Sequence, residues 1–190
     1  MKIQNILYEI LLEQEQPKET MQFWHGGNLD DYNEIIAQKN GRYEYGPGLY
    51  LITKLSVAEK YSKGSRKLYH VTVEKGNDIY DSLLDVSVVH EFVKHYVIGS
   101  LRKEVLQRIL NHTKDGKIKA FIFNNIILNN KAIKSTKTQN LRQFYVDNNI
   151  DYEIVDNAFG FGEKMMVLYN MKKIIKATPT KSPYDIGDLD

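Results

Sequence analysis

The chain has 190 residues, 42% hydrophobic and 26% charged, with a formal net charge of +2, the profile of one soluble domain large enough to bury a substantial core. It has no cysteine, which excludes disulfides, thiol catalysis and thiolate metal sites and fits a reducing cytoplasm. No apolar run approaches the roughly 20 residues of a membrane span, and Glu9 and Glu13 interrupt the leading apolar segment, which reads poorly as a signal peptide.

Ile3, Ile6, Leu7, Ile10 and Leu11 recur at helical spacing, so residues 1–16 are expected as an amphipathic helix followed by a polar linker at Pro17. "MQFWH" reads as a strand. "NLDDYNEIIAQKNG" reads as a helix with Asn28 as its N-cap and Gly41 just past its end. "LYLIT" is a strand, and Thr53 or Ser56 is expected to cap a short helix through Tyr61. "RKLYHVTVE" alternates, with Tyr69, Val71 and Val73 on one face. Val86 to His112 is helical with a break near Gly99, and "FIFNNIILN" fits either a strand or a buried helix. "TQNLRQFYVDNN" is helical, while "DYEIV" and "EKMMVLYN" are strands. Residues 179–190 are expected as a flexible acidic tail. This mixture without regular βαβ alternation predicts the α+β class.

Between Leu101 and Tyr145 lie ten basic residues, Arg102 and Arg142 among them, against Glu104 and Asp115 alone. Such a segment suits a solvated lysine-rich face, and it could also steer a polyanion. "HEFVKH" places His90 and His95 five residues apart, whereas zinc ligands on one helix face stand four apart; no metal is expected. Neither "GFGEK" nor "GRYEYGPG" has the spacing of a phosphate-binding glycine loop.

"WHGG" followed by "GPGLYLITKLSVAEKY" places Tyr50 and Tyr61 eleven residues apart, on a strand and at the end of a helix. This order of His-Gly strand, Gly-x-Tyr strand and tyrosine-ended helix resembles the ADP-ribosyltransferases of the diphtheria-toxin and poly(ADP-ribose) polymerase (H-Y-E) branch. The resemblance runs from about Phe23 to Val73, and more faintly over "EKMMVLYNMKKI". It implies a split β-sandwich with flanking helices over residues 17–178. It also implies NAD as co-substrate, with His25 on a ribose hydroxyl, the Gly26 backbone on the nicotinamide carboxamide, and Tyr50 and Tyr61 on either side of the nicotinamide ring. An aromatic face attracts a cationic ring by roughly 0.5–2 kcal/mol.

Three positions depart from the family pattern. Gly27 stands where serine or threonine is frequent, and Ala58 where some members carry serine. Aligned through Tyr169, Met165 stands at the catalytic glutamate, with Glu163 two residues earlier on the same strand face. The glycines of "FGFGEK" could permit a bulge that brings Glu163 into register. The implied activity is mono-ADP-ribosyl transfer with Glu163 as the carboxylate, acting with Tyr50 and His25 on a macromolecular acceptor, protein or nucleic acid. The alternatives are a catalytically inactive NAD- or ADP-ribose-binding module and a structural or interaction protein. In style the chain resembles small bacteriophage or bacterial proteins; a monomer in the cytoplasm, or in a host's cytoplasm, is expected.

Overall fold

The structure, a computed structural model, describes residues 18–29, 45–160 and 162–184. The helix expected over 1–16, most of the one expected over 28–41 and the end of the expected tail lie outside the described residues. Within them the chain runs β1 (Thr20–Gly26), β2 (Leu49–Ile52), α1 (Leu55–Ser62), β3 (Lys67–Glu74), β4 (Leu83–Asp85), α2 (Val86–Tyr96), α3 (Arg102–Asn111), β5 (Lys117–Lys119), α4 (Ala120–Asn129), α5 (Thr138–Asp147), β6 (Tyr152–Asp156), β7 (Lys164–Leu168) and β8 (Ile174–Lys181). Six strands form one antiparallel sheet in the order β6-β7-β2-β1-β3-β8, and β4 pairs with β5 in a small ribbon. The class is α+β. No described helix is long and apolar enough to cross a membrane.

Strand alternation divides the core into two layers. Phe23, Leu49, Leu51, Val71, Val73, Met166 and Leu168 cluster on one face of the sheet. Met165 and Val167 point to the other face, into a larger cluster built with Val89, Phe92 and Val93 of α2, Val105 and Ile109 of α3, Phe123 and Ile127 of α4, and Leu141 and Tyr145 of α5. "FIFNNIILN" is a helix: Ala120, Phe123, Asn124, Ile126 and Ile127 are its buried positions, and that spacing is helical. The break expected near Gly99 is a 3-10 turn, Gly99–Leu101, between α2 and α3.

Two expectations are corrected. Neither Thr53 nor Ser56 caps α1, whose N-cap is Lys54 with no side-chain bond. Thr53 Oγ1 instead accepts from the Lys164 amide at 3.0 Å, because β2 continues beside β7 to that point. Residues 179–181, expected in a flexible tail, belong to β8, which pairs Pro179 with Tyr69 and Lys181 with Lys67. Proline is tolerated there because β8 is the sheet edge, where its missing N–H breaks no ladder bond.

Candidate functional site

The sheet brings the separated motifs side by side. His25 stands on β1, Tyr50 on β2, and Glu163 immediately before β7; these three strands are consecutive neighbours in the sheet.

Between β1 and β2 the ladder stops early. Its registered pair is Trp24 with Ile52, whereas β1 pairs with β3 continuously from Thr20 to Gly26. The Gly27 N–H donates to the Lys67 carbonyl at 3.1 Å, so by alternation the Gly26 N–H and C=O point away from β3, toward β2. Likewise the Thr53 N–H donates to the Lys164 carbonyl on β7 at 3.0 Å, so the Tyr50 backbone groups point toward β1. The next rung would join Gly26 to Tyr50. Instead the strands part, and His25 Nδ1 lies 2.9 Å from the Tyr50 carbonyl oxygen. A carbonyl only accepts, so Nδ1 carries the proton and Nε2 is left as an acceptor. Burial lowers the His25 pKa below the usual 6.5, partly offset by the bond to Tyr50.

Gly26 has a packing role as well. A Cβ there would collide with the Ala58 carbonyl and sit 2.7 Å from the Ser62 N. Helix α1 thus lies directly on β1, and its seat requires a glycine.

Tyr61 near the end of α1 is 59% exposed, so it is not a core residue. With Lys54, Ser56, Val57, Lys60, Phe159 and Glu163 it lines a cleft of about 460 Å³, and its ring centroid lies 6.4 Å from that of Phe159. Tyr50 packs against the helix-side core, with its hydroxyl donating to the Gly46 carbonyl at 2.9 Å. Gly26, Tyr50, Tyr61 and Glu163 share the α1 side of the sheet. His25, beside Leu51 in register, belongs to the opposite face and reaches Tyr50 across the gap.

Glu163 is 6% exposed and forms an ion pair with Lys54 through Oε1. Its Oε2 is buried and has no hydrogen-bond partner among the described residues, a state that costs about 1–3 kcal/mol and calls for an explanation. β2 and β7 pair without interruption from Leu49–Leu168 to Ile52–Met165, so no bulge shifts the register at those positions. The glycines make a turn instead, with Gly160 and Gly162 at φ of 81° and 77°. Met165, 3% exposed, faces the core opposite Ile52. Glu163 therefore stays two residues outside Met165's position, held by Lys54.

Sequence reasoning missed a second acid. Glu153 on β6 pairs with Val167, which pairs with Tyr50, so the three form a row on the helix-bearing face. It is 4% exposed, and burial pushes its pKa up to about 7 against the hydrogen bonds from Tyr169 and Tyr80. In the sequence it looks like the polar residue of an alternating strand; its partners, Tyr80, Asn124 and Tyr169, are distant along the chain.

The basic segment is partly committed elsewhere. Arg108 pairs with Glu104 at 2.8 Å, Arg102 Nε donates to the Val97 carbonyl at 3.1 Å, and Lys119 lies 5.9 Å from the Phe121 ring centre. Among the described residues no group of three or more His, Asp or Glu side chains could hold a metal ion.

Comparison with protein-family models, curated proteins and solved structures finds no match to this chain.

Proposed function

We propose that the chain is an NAD-dependent ADP-ribosyltransferase of the H-Y-E branch, on an ADP-ribosyltransferase-like split sheet, transferring one ADP-ribose unit to a macromolecular acceptor. The observation that carries this reading is the parting of β1 and β2 at Gly26 and Tyr50, with His25 Nδ1 on the Tyr50 carbonyl in place of the next rung. An N–H and a C=O presented together at a sheet gap match a primary carboxamide, which offers one acceptor and two donors. Nicotinamide carries that group on a cationic ring. Tyr50 and the exposed Tyr61 on the same side of the sheet supply aromatic faces for it.

In the reaction the C1′–N bond of NAD breaks, and its electron pair passes to the nicotinamide ring and cancels the ring's charge. The acceptor's nucleophile forms the new bond to C1′ and loses a proton. Positive charge develops at the ribose between these events, and a carboxylate there lowers the barrier. Glu163 fits that role by its burial, its place in the cleft with Tyr61, and an Oε2 that has no partner among the described residues.

Incubation with labelled NAD and a cell lysate tests the reading. Label on macromolecules and an equal amount of free nicotinamide are expected; absence of both overturns it. One observation favours a second reading, an NAD- or ADP-ribose-binding module without chemistry: Met165 is core, and Glu163 is tied to Lys54. Calorimetry that detects NAD binding without NAD consumption selects that reading.

A further inference from the structure

The Glu153 network touches the loop that leads into β2. Glu153 Oε2 accepts from Tyr169 Oη at 2.9 Å and Asn124 Nδ2 at 3.1 Å, and Oε1 accepts from Tyr80 Oη at 3.3 Å. Asn124, buried on α4, is committed on both sides. Its Oδ1 accepts from Tyr145 Oη at 2.8 Å, and Nδ2 also donates to the Tyr45 carbonyl at 3.3 Å. Tyr169 Oη lies 3.5 Å from that same carbonyl, but its single proton goes to the nearer Glu153 oxygen. The next residue, Gly46, has φ of 113°, and a Cβ there would lie 3.5 Å from both Asn124 Oδ1 and Tyr169 Oη. The Gly46 carbonyl then anchors the Tyr50 hydroxyl.

We infer that Glu153 is a positioning residue for Tyr50: by fixing Asn124 and Tyr169 it seats the Tyr45–Gly46 backbone, and that backbone holds the Tyr50 hydroxyl. The ligand half of this inference rests on the reading of Tyr50 as a nicotinamide platform; the structural half does not.

Protonation changes what the network can do. The carboxylate accepts from all three donors, and charge-assisted bonds are the stronger kind. The neutral acid turns one oxygen into a donor, aimed at groups that already donate, so one bond must turn or break. The groups facing Glu153 are Tyr80, Tyr169 and Tyr145 through the network, and Asp78 through its charge. Burial and Glu153 raise the tyrosines, Tyr80 to about 12, so they keep their protons while Glu153 titrates. The loop is held most firmly above neutral pH.

Hydrogen exchange on the full chain, corrected for the intrinsic pH dependence of the rate, reads this directly for the Gly46, Gly48, Leu49 and Tyr50 amides. Their protection is expected to rise by about threefold or more between pH 6 and pH 8, the scale of a local opening. The rise should vanish in Glu153→Gln and move to higher pH in Tyr169→Phe, which keeps the acid but removes a donor to its charged form. No rise in the wild type, or a rise that Tyr169→Phe leaves in place, overturns the inference even if Glu153→Gln does not fold. Nicotinamide binding measured in parallel separates the two claims. Protection that steps with pH in a chain that binds no nicotinamide upholds the positioning role and defeats the NAD reading. Nicotinamide binding without the step does the reverse.

Discussion

His25 Nδ1 and the Tyr50 carbonyl oxygen, 2.9 Å apart, close a gap that the β1–β2 ladder leaves open. The bond requires the proton on Nδ1, and burial holds the His25 pKa below 6.5. Below pH 6.5 an unfolded chain takes up a proton that the folded chain resists. The His25 contribution to stability is therefore full above pH 6.5 and is lost as pH falls through the folded value. His25→Ala should flatten that part of the profile in denaturant titrations. It should also weaken NAD binding about tenfold, the worth of one hydrogen bond to a placed group. A variant that melts much earlier yet binds NAD normally would make His25 a packing residue.

Gly26 carries two demands at once, the backbone facing the gap and the seat of α1. Gly26→Ala drives a Cβ into the Ala58 carbonyl, and backbone cannot yield as a side-chain tip does. A loss of about 3 kcal/mol is expected, at the upper end for overpacking, with Tyr61 displaced along with its helix. A stability change under about 0.5 kcal/mol, within the range of an ordinary surface substitution, would show that α1 does not bear on β1 in this way.

Much of this was readable in the sequence because the signals were local. "MQFWH", "LYLIT" and "LSVAEKY" each carry their own periodicity, and β1, β2 and α1 follow them. What escaped depends on partners far along the chain. The edge strand β8 is mostly exposed and contains Pro179, so neither alternation nor propensity marks it. β4 and β5 are three residues each, too short for a period. The row Tyr50–Val167–Glu153 exists only through strand pairing. The alignment of Met165 with a catalytic glutamate shows the converse: spacing gave a position, but register placed that side chain in the core opposite Ile52.

Glu163→Gln tests the carboxylate assignment. Loss of transfer by a factor of about a hundred or more is expected, comparable to removing a major electrostatic stabiliser, with NAD binding retained. Product on a gel should be a single shifted species, because a carboxylate displaced from Met165's position orients a second ribose acceptor poorly. Unchanged turnover would remove Glu163 from the reaction, and polymer ladders would refute single transfer.

Salt dependence tests the acceptor. Ten basic residues against two acids between Leu101 and Tyr145 suit a solvated face and could also steer an acidic acceptor; with a nucleic acid as that acceptor, release of counterions would make binding fall steeply with salt. Affinity for RNA and DNA that is flat from 50 to 200 mM salt, roughly the range over which such contacts lose most of their strength, would eliminate nucleic acid as the acceptor.

Glu153 affects stability with the opposite sign to His25. Its pKa is about 7 in the fold against the ordinary 4.5 of a glutamate, so the folded chain holds a proton that the unfolded chain has released. The carboxylate's bonds seat the Tyr45–Gly46 loop, but its burial costs the fold as a whole: the Glu153 contribution to global stability is most favourable below pH 4.5 and is lost as pH rises through 7. A shift of that size in a buried group corresponds to about 3 kcal/mol. Wild-type stability should therefore carry a falling component of that order between pH 5 and pH 8, absent in Glu153→Gln. Parallel profiles for the two proteins would show that Glu153 titrates normally.

The end of β8 is tied to α1 through two buried hydroxyls. Ser62 Oγ and Ser182 Oγ lie 2.7 Å apart, and both residues are almost fully buried. Ser62 Oγ donates to the Glu59 carbonyl at 2.7 Å, so its proton is spent and Ser182 must be the donor between them. Ser182 Oγ in turn accepts from the Tyr184 amide at 3.2 Å. Ser62 follows Tyr61, and its amide lies beside the space that a Gly26 side chain would take, so this bond fixes the helix end that carries Tyr61. Ser182→Ala leaves the Ser62 oxygen without its donor and should cost about 1–3 kcal/mol. The double variant Ser62→Ala/Ser182→Ala should cost less than the sum of the two single changes, because removing both partners strands neither. Strict additivity in thermal or denaturant unfolding would mean that the two serines do not act on each other, and the C-terminal strand would then have no hold on the Tyr61 helix through them.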